Sequence, residues 1–194
     1  MRGVEQIPWL YDLLIRLFPR LARWRAALMA QARGRTLEIG CGTGLGLCEL
    51  SNRAEGLWGI DPAADSLVRA RERAPGAGLA VANAEHLPFR DDSFDCVVSS
   101  LVFCSVSDPE RGLAEIKRVL RPGGCLLMLE HVQARGRVTA SLLDGVQPAW
   151  TRLTGGCHPN RQTEKIVRAA GFVIDPDAYV ASGLMRRFVA YPQS

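Results

Sequence analysis

The sequence predicts an α/β domain built on a doubly wound, mostly parallel sheet, and two observations lead to this prediction. From residue 35 onward, short apolar runs of strand character alternate with stretches of helical periodicity, the pattern of consecutive βαβ units. The first run, residues 36–39, opens into a loop with glycine at positions 40, 42 and 44 and then into a helix. A strand, a glycine turn and a helix N-terminus together form a nucleotide-binding corner of such a sheet.

Length and composition bound the possible classes of protein. The chain has 194 residues, of which 47% are hydrophobic and 23% charged, and its net charge is +4. One domain with a sizeable core is expected at this length. No stretch combines clustered Lys and Arg with aromatic residues, which argues against nucleic-acid binding. No apolar run reaches the ~20 residues of a membrane-spanning helix.

The six cysteines are scattered, without a CxxC pair and without the Cys/His spacing of a metal site. Cys41, Cys96 and Cys125 lie within or beside apolar runs, where free cysteine behaves as a small hydrophobic residue. The sequence shows no apolar leader followed by a cleavage site. We therefore expect a reduced, cytoplasmic protein that holds no metal.

Residues 4–31 differ from the rest of the chain. Apolar residues recur there at three- and four-residue spacing, with arginines between them: Ile7, Leu10, Leu14, Leu17, Leu21, Trp24 and Leu28. The spacing predicts amphipathic helix, broken near Pro19. One interpretation is a helical lid that packs its apolar face on the domain. The alternative is a basic segment that lies on an anionic membrane surface.

The elements then follow in order. Predicted strands cover residues 36–39, 57–60, 79–82, 94–99 and 125–130, and predicted helices cover 45–52, 64–74 and 109–120. Asp108 is the predicted N-cap of the last of these helices, and the Pro-Gly-Gly at 122–124 is predicted to form a tight stop before the fifth strand.

The last third of the chain is predicted to close the sheet. Residues 133–160 look like an irregular insertion, and a helix over 163–170 ends at Gly171. Two strands, 172–175 and 185–191, have no long helix between them and predict an antiparallel edge. The full prediction is a seven-stranded, Rossmann-like sheet in one domain. Its parts are an N-terminal helical lid (1–34), a ligand-binding core (35–131), and an insertion with the closing strands (132–194).

The glycine loop narrows the choice of nucleotide. A dinucleotide fingerprint needs a third glycine where Leu45 or Leu47 stands, and no Gly-Lys-Ser/Thr follows as in a P-loop. A nucleotide-dependent oxidoreductase is therefore disfavoured. Asp61 ends the second strand, where a carboxylate binds the two hydroxyls of a ribose. Its alternative role is to cap the turn before Pro62.

Four segments resemble class I S-adenosylmethionine-dependent methyltransferases over roughly residues 35–131. They are residues 37–44, 59–62, 84–95 and 118–124, and they stand in that family's order and spacing. Residues 101–106, 130–132 and 156–157 are further similar to methyltransferase-like proteins that methylate alkyl thiols.

This resemblance implies a cofactor site for S-adenosylmethionine. The methionine part would lie on Gly40, Cys41, Gly42 and Gly44, with Glu38 orienting the loop or the amino group of the cofactor. Asp61, followed by Pro62, would bind the ribose hydroxyls.

The resemblance also implies the residues around the adenine. Asn83 stands where family members usually carry an acidic residue, and its carbonyl can still accept a hydrogen bond from the adenine amino group. Ala84 would offer its backbone to the ring, with Glu85 beside it. Ser99, at the end of the fourth strand, would lie under the methionine part.

The sulfonium of this cofactor carries an activated methyl group, so the protein has to align the acceptor and exclude water. A thiol of pKa ~8.5 is already partly ionised at neutral pH and is the acceptor class placed first, before lipid-like or quinone acceptors. Candidates for acceptor contact are His131, His158 and Asp144. Each has a structural alternative: a strand-end hydrogen bond for His131, and turns for His158 and Asp144.

The expected partner is thus a small-molecule acceptor, with peripheral membrane contact through the N-terminal helix as an open possibility. The sequence does not fix the oligomeric state. A cofactor-binding protein without catalysis is the non-enzymatic alternative to a methyltransferase.

Overall fold

A computed structural model describes residues 17–132, 137–154, 156–158 and 160–193; for 137–144 and 146 it describes the backbone only. The described helices are α1 (Pro19–Met29), α2 (Leu45–Leu50), α3 (Ala64–Arg73), α4 (Pro109–Val119), α5 (Arg137–Thr154) and α6 (Thr163–Ala169). The strands are β1 (Arg35–Ile39), β2 (Gly56–Asp61), β3 (Gly78–Val81), β4 (Phe94–Ser100), β5 (Leu120–His131), β6 (Phe172–Ile174), β7 (Val180–Ser182) and β8 (Met185–Pro192).

The strands form one eight-stranded sheet of order β3-β2-β1-β4-β5-β8-β6, with β7 paired to β8. Strands β1 to β5 pair in parallel, and β8 is antiparallel to β5, β6 and β7. The predicted fold class is confirmed, including the antiparallel edge. The sequence analysis missed the three-residue strand β7, which pairs with β8 next to Gly183 (φ +55°).

Alternating strand residues fill two apolar layers, one on each face of the sheet. One layer holds Val97 and Met128 with the inner faces of α4 and α6. The other holds Val98 and Leu127 with residues of α1, α2 and α3. The sheet is thus covered on both sides, as its near-continuous apolar strands require.

The N-terminal helix is part of the second layer. Helix α1 begins at Pro19, where the sequence predicted a break, and its Leu28 and Met29 are fully buried against the sheet. Leu17 and Phe18 just before it are 64% and 58% exposed. The rest of the predicted lid, residues 1–16, lies outside the described residues. None of the described helices is both long and apolar enough to cross a membrane.

Two predicted boundaries were wrong. Strand β5 begins at Leu120, so the predicted stop at 122–124 lies inside it as an irregularity, with Gly123 at φ +78° and a register shift opposite Phe94 and Cys96. The predicted irregular insertion at 133–160 contains the 18-residue helix α5. Pro148 lies inside this helix, although proline removes a backbone donor.

Side chains at both ends of α4 form hydrogen bonds and ion pairs that stabilise the neighbouring loops. Asp108 accepts a hydrogen bond from the Arg111 N–H and caps α4, as predicted. Arg118 donates to the backbone carbonyls of Leu87 and Phe89 and pairs with Asp91 and with the adjacent Glu115. These contacts fix the loop between β3 and β4 against α4.

Candidate active site

The described part of the chain encloses a cavity of about 430 Å³ at the C-terminal ends of the central parallel strands. Its walls come from the glycine loop, the ends of β2 and β4, strand β5 and helix α1. Ligands of open α/β sheets bind at this end of the strands, where the strand order reverses between β1 and β4.

The glycine loop leaves the space that a ligand needs. Gly42 adopts φ +51°, and a Cβ at this position would meet none of the described atoms within 4 Å. Gly44 adopts φ +82° as the N-cap of α2, and its Cβ would come within 2.8 Å of the Ala70 Cα. Gly42 therefore provides room at the cavity, whereas Gly44 allows α2 and α3 to pack closely.

Asp61 lies at the end of β2, as predicted, and it lines the cavity. Its two carboxylate oxygens accept hydrogen bonds from the Gly42 N–H at 2.9 Å and the Ala63 N–H at 2.8 Å. Burial raises the pKa of Asp61, and the two backbone donors oppose that rise. The carboxylate thus ties the glycine loop to β2, and each oxygen keeps a lone pair for a ligand hydroxyl.

Glu38 presents an unpaired carboxylate oxygen. The residue is 4% exposed, it lines the cavity, and Oε2 has no hydrogen-bond partner among the residues that the structure describes. Burial raises its pKa to about 8, although the nearby Arg25 acts in the opposite direction. A buried carboxylate of this kind gains most from a cationic donor. An ammonium group would be such a donor; whether Glu38 orients the loop or the amino group of the cofactor stays a prediction.

Two residues of this end of the cavity escaped the sequence analysis. Arg25 of α1 is 7% exposed, lines the cavity and donates to Glu49 of α2 at 2.6 Å. The amphipathic pattern of residues 4–31 did not indicate that Arg25 lines a cavity. Gly46 lies so close to Glu38 that an added Cβ would stand 1.9 Å from its Oε1. The signal for Gly46 was that it continues the alternation of glycines at positions 40, 42 and 44.

The predicted adenine contacts lie away from the cavity walls. Asn83 is exposed and forms an isolated bridge with His86. Ala84 is buried in the first apolar layer. Glu85 accepts hydrogen bonds from the backbone N–H groups of Ser107 and Asp108. Their roles toward a cofactor stay predictions.

Ser99 and Glu130 form a buried pair, and neither is among the described residues that line the cavity. The Ser99 hydroxyl donates to Glu130 Oε1 at 3.0 Å, and the Val102 and Phe103 N–H groups donate to the same oxygen. Glu130 was not a predicted site residue. It holds the loop after β4 in place, including Leu101 at φ +60°, and this loop forms one wall of the cavity.

The structure brings one of the three predicted acceptor-side residues to the cavity. His131 at the end of β5 lines it. His158 does not; its ring Nδ1 lies 3.3 Å from the Cys104 carbonyl. Asp144 falls within α5 rather than in a turn, and its side chain lies outside the described residues.

Two cysteines lie beside His131. Cys104 and Cys157 are each 1% exposed, and their sulfur atoms lie within 4.8 Å of each other and of a ring nitrogen of His131. A hydrogen bond from Cys104 lowers the pKa of the Cys157 thiol and raises that of Cys104. The thiols come from loops more than fifty residues apart, so sequence spacing could not reveal the pair.

Residues 37–128 match a family model described as a methyltransferase domain. The thiol S-methyltransferase TMT1B of Rattus norvegicus is 43% identical over 83 residues, which are 42% of this chain and 34% of that protein. The phosphatidylethanolamine N-methyltransferase of Cereibacter sphaeroides is 37% identical over 129 residues, 63% of each. The chain thus spans between one third and two thirds of these relatives.

The fold is shared more widely than the sequence. A SAM-dependent methyltransferase of Thermotoga maritima, described as a possible histamine N-methyltransferase, superposes with a TM-score of 0.70 at 21% identity, covering 98% of this chain and 99% of that one. The relatives differ in the acceptor that their names give, so the acceptor is not fixed by likeness. The resemblance stated from the sequence is confirmed over residues 37–128, which match a methyltransferase domain, and the fold is that of solved SAM-dependent methyltransferases.

Proposed function

We propose that this protein transfers the methyl group of S-adenosylmethionine to the sulfur of a small thiol. The observation that carries the proposal is the cavity itself. It joins the acidic, glycine-lined end at Glu38 and Asp61 to an end lined by Leu101, Val102 and His131.

The residues divide into two groups. Glu38 binds the cofactor ammonium through its unpaired Oε2, and Asp61 accepts from the ribose hydroxyls. Bound S-adenosylmethionine supplies a methyl group on a cationic sulfur, ready for in-line displacement. His131 lies at the end of β5, which β4 separates from Glu38 on β1, and contacts the acceptor. The chain contributes mainly alignment, which is worth several orders of magnitude in rate.

Chemistry and one relative favour a thiol acceptor. A thiol needs little help to ionise near neutral pH, whereas an alcohol or amine needs a strong general base. His131, one of the three predicted candidates, lines the described cavity and supports this acceptor end. The relative from Rattus norvegicus is named a thiol S-methyltransferase.

The cofactor half is tested by calorimetry with S-adenosylmethionine, S-adenosylhomocysteine and NAD. Both adenosyl ligands are expected to bind and NAD is not. Asp61→Ala should weaken binding by at least tenfold, because it removes the ribose acceptor and frees the Gly42 and Ala63 N–H groups. Asp65→Asn, an exposed neighbour on α3, is the matched control and should bind normally. Binding of NAD alone, or full affinity in Asp61→Ala, would contradict the proposal.

The acceptor half is tested with methyl-labelled cofactor and a panel of thiols, phenols, amines, quinones and phospholipids. Label on the thiols identifies the proposed acceptor class. Label on another class of compound would reject the thiol acceptor but would still support a methyltransferase. Cofactor binding with no transfer to any class would favour a cofactor-binding protein without catalysis.

A lipid acceptor at a membrane surface is the second candidate. Exposed Leu17 and Phe18 stand beside the exposed arginine at position 20, a combination suited to an anionic bilayer. The relative from Cereibacter sphaeroides is named for a phospholipid substrate. Flotation with phosphatidylglycerol vesicles, compared between the intact chain and a Leu17→Ser, Phe18→Ser variant, tests this contact. A cytoplasmic location with peripheral membrane contact remains part of this proposal.

A further inference from the structure

Three side chains that are far apart in the sequence meet at the acceptor end of the cavity. They are Cys104, His131 and Cys157, and one ligand atom of each lies within 4.8 Å of the other two. Both cysteines are buried, and Cys104 and His131 line the cavity. The proposed methyl transfer as derived above gives neither cysteine a role.

Hydrogen bonds from other segments fix the backbone of both cysteines. The His158 N–H donates to the carbonyl of Cys104 at 2.8 Å. The Thr151 hydroxyl donates to the carbonyl of Cys157 at 3.0 Å, and the Cys157 N–H donates to the Thr154 hydroxyl at 3.3 Å. The loop after β4 and the end of α5 are thereby joined, so the backbones of the two cysteines are held close together while their side chains can rotate.

Two thiols and an imidazole are ligands that zinc prefers, and three protein ligands with one open position are typical of catalytic zinc. Bonds of about 2.3 Å to sulfur and 2.0 Å to nitrogen place tetrahedral ligands about 3.5–3.8 Å apart. The largest separation allowed by the observed cluster is 4.8 Å, about 1 Å wider than that. Side-chain rotation is sufficient to close this difference.

The charges also suit a divalent cation. Two thiolates and a neutral imidazole balance it, so the loaded site adds no net charge to a buried position. Glu130 acts electrostatically on Cys104, and Arg161 acts on both thiols and on Glu130.

We propose that Cys104, His131 and Cys157 bind a zinc ion whose fourth position opens into the cavity. The open side follows from the cavity wall, which includes Cys104 and His131 while Cys157 lies behind them. The expectation of a metal-free protein rested on sequence spacing alone, and spacing does not report contacts between distant loops.

The metal site itself is independent of the proposed function. The role that we assign to the zinc ion, to bind the acceptor thiol, rests on that function. The open position takes the sulfur of the acceptor thiol, which releases its proton to solvent. A lone pair of the resulting thiolate forms the bond to the methyl carbon. The bond between that carbon and the sulfonium breaks, and its electron pair stays on the departing sulfur. The products are a methyl thioether, S-adenosylhomocysteine and one proton.

The site is tested on the full chain, reduced and stripped of metal, by titration with Co²⁺ and then Zn²⁺. We expect one Co²⁺ to bind with the intense visible bands of tetrahedral coordination and a thiolate charge-transfer band, and Zn²⁺ to displace it. Absence of saturable binding, or a spectrum without the charge-transfer band, overturns the proposal.

Variants then assign the ligands. Cys104→Ser and Cys157→Ser should each lower zinc affinity by more than ~100-fold, above the loss caused by removing an outer partner. Cys48→Ser is the matched control, because Cys48 is an exposed free cysteine on α2. Wild-type affinity in both ligand variants overturns the proposal.

A second readout needs no variant and covers the case in which a serine variant fails to fold. Zinc should protect Cys104 and Cys157 of the unmodified chain from alkylation, as read by peptide mass spectrometry, and leave Cys48 reactive. If zinc does not reduce the alkylation of Cys104 and Cys157, the proposed metal site is overturned.

Measurements of thiol methylation test the proposed role of zinc separately from the existence of the metal site. Thiol methylation that falls at least tenfold on metal removal and returns with Zn²⁺ supports both. Full activity of the metal-free chain would show that zinc does not take part in methyl transfer. The titration would still show whether the metal site exists. Zinc binding without methylation of any thiol rejects the thiol acceptor of the proposed function and leaves the metal site standing.

Discussion

Glu38 is the residue whose environment most directly invites a ligand. Its carboxylate is buried, and one oxygen has no partner among the described residues. An unpaired buried polar atom costs free energy comparable to a lost hydrogen bond, so it persists where function needs it. Burial holds its pKa at about 8, and the cofactor-free protein therefore keeps a proton on Glu38 at neutral pH.

We predict that cofactor binding at pH 7 releases about one proton, because the cofactor ammonium replaces the proton as the partner of Glu38. Affinity for S-adenosylmethionine should accordingly rise from pH 6 to pH 7.5. Glu38→Gln should abolish the release and lower affinity. Calorimetry in two buffers of different ionisation enthalpy measures the proton count.

The exposed Glu72 of α3 provides the control, since Glu72→Gln should leave the proton count unchanged. The same pKa has the opposite effect on stability without cofactor. The folded chain holds a proton that the unfolded chain loses near pH 4.5, so this group lowers stability as pH rises from 4.5 toward 8. Equal proton release in wild type and Glu38→Gln would show that Glu38 does not face the ammonium.

At the scale of elements, the approach of α2 to β1 sets the position of Glu38. Gly46 on α2 leaves the space that the Glu38 carboxylate fills. We predict that Gly46→Ala weakens cofactor binding by at least tenfold, because a Cβ would displace the carboxylate from its present position. Binding is measured by calorimetry, together with the unfolding temperature.

Gly145→Ala in α5 is the matched glycine-to-alanine control. Among the described atoms none lies within 4 Å of a Cβ at Gly145, so alanine should stabilise the protein by up to about 1 kcal/mol through helix propensity and leave cofactor affinity unchanged. Normal affinity in Gly46→Ala would mean that Glu38 can move away without consequence for binding.

The sequence predicted the elements whose cause is local. The strand, glycine loop and helix at 36–50 and the Asp108 cap depend on residues a few positions apart, and their types are distinctive. Glu130, Arg25 and the thiol pair act on segments that the sequence places far away. Only the completed sheet brings them to the cavity, so no pattern in the chain could predict their roles.

At the scale of the whole molecule, α1 joins the cofactor cavity to the core of the domain. Its Arg25 reaches the cavity, while Leu28 and Met29 are buried against the sheet. A lid in the strict sense would leave the core intact when removed. Deleting residues 1–31 would instead expose the second apolar layer, and loss of membrane contact in that deletion could not be separated from loss of folding.

Single substitutions on either side of Pro19 separate these effects. We predict that Leu28→Ala lowers the free energy of unfolding by about 3 kcal/mol, since it opens a cavity in a fully buried position. Phe18→Ser, at an exposed position, should change it by less than about 0.5 kcal/mol. Urea denaturation followed by circular dichroism measures both. If Leu28→Ala were as stable as wild type, α1 would be a detachable lid, and the cavity would have to be complete without Arg25.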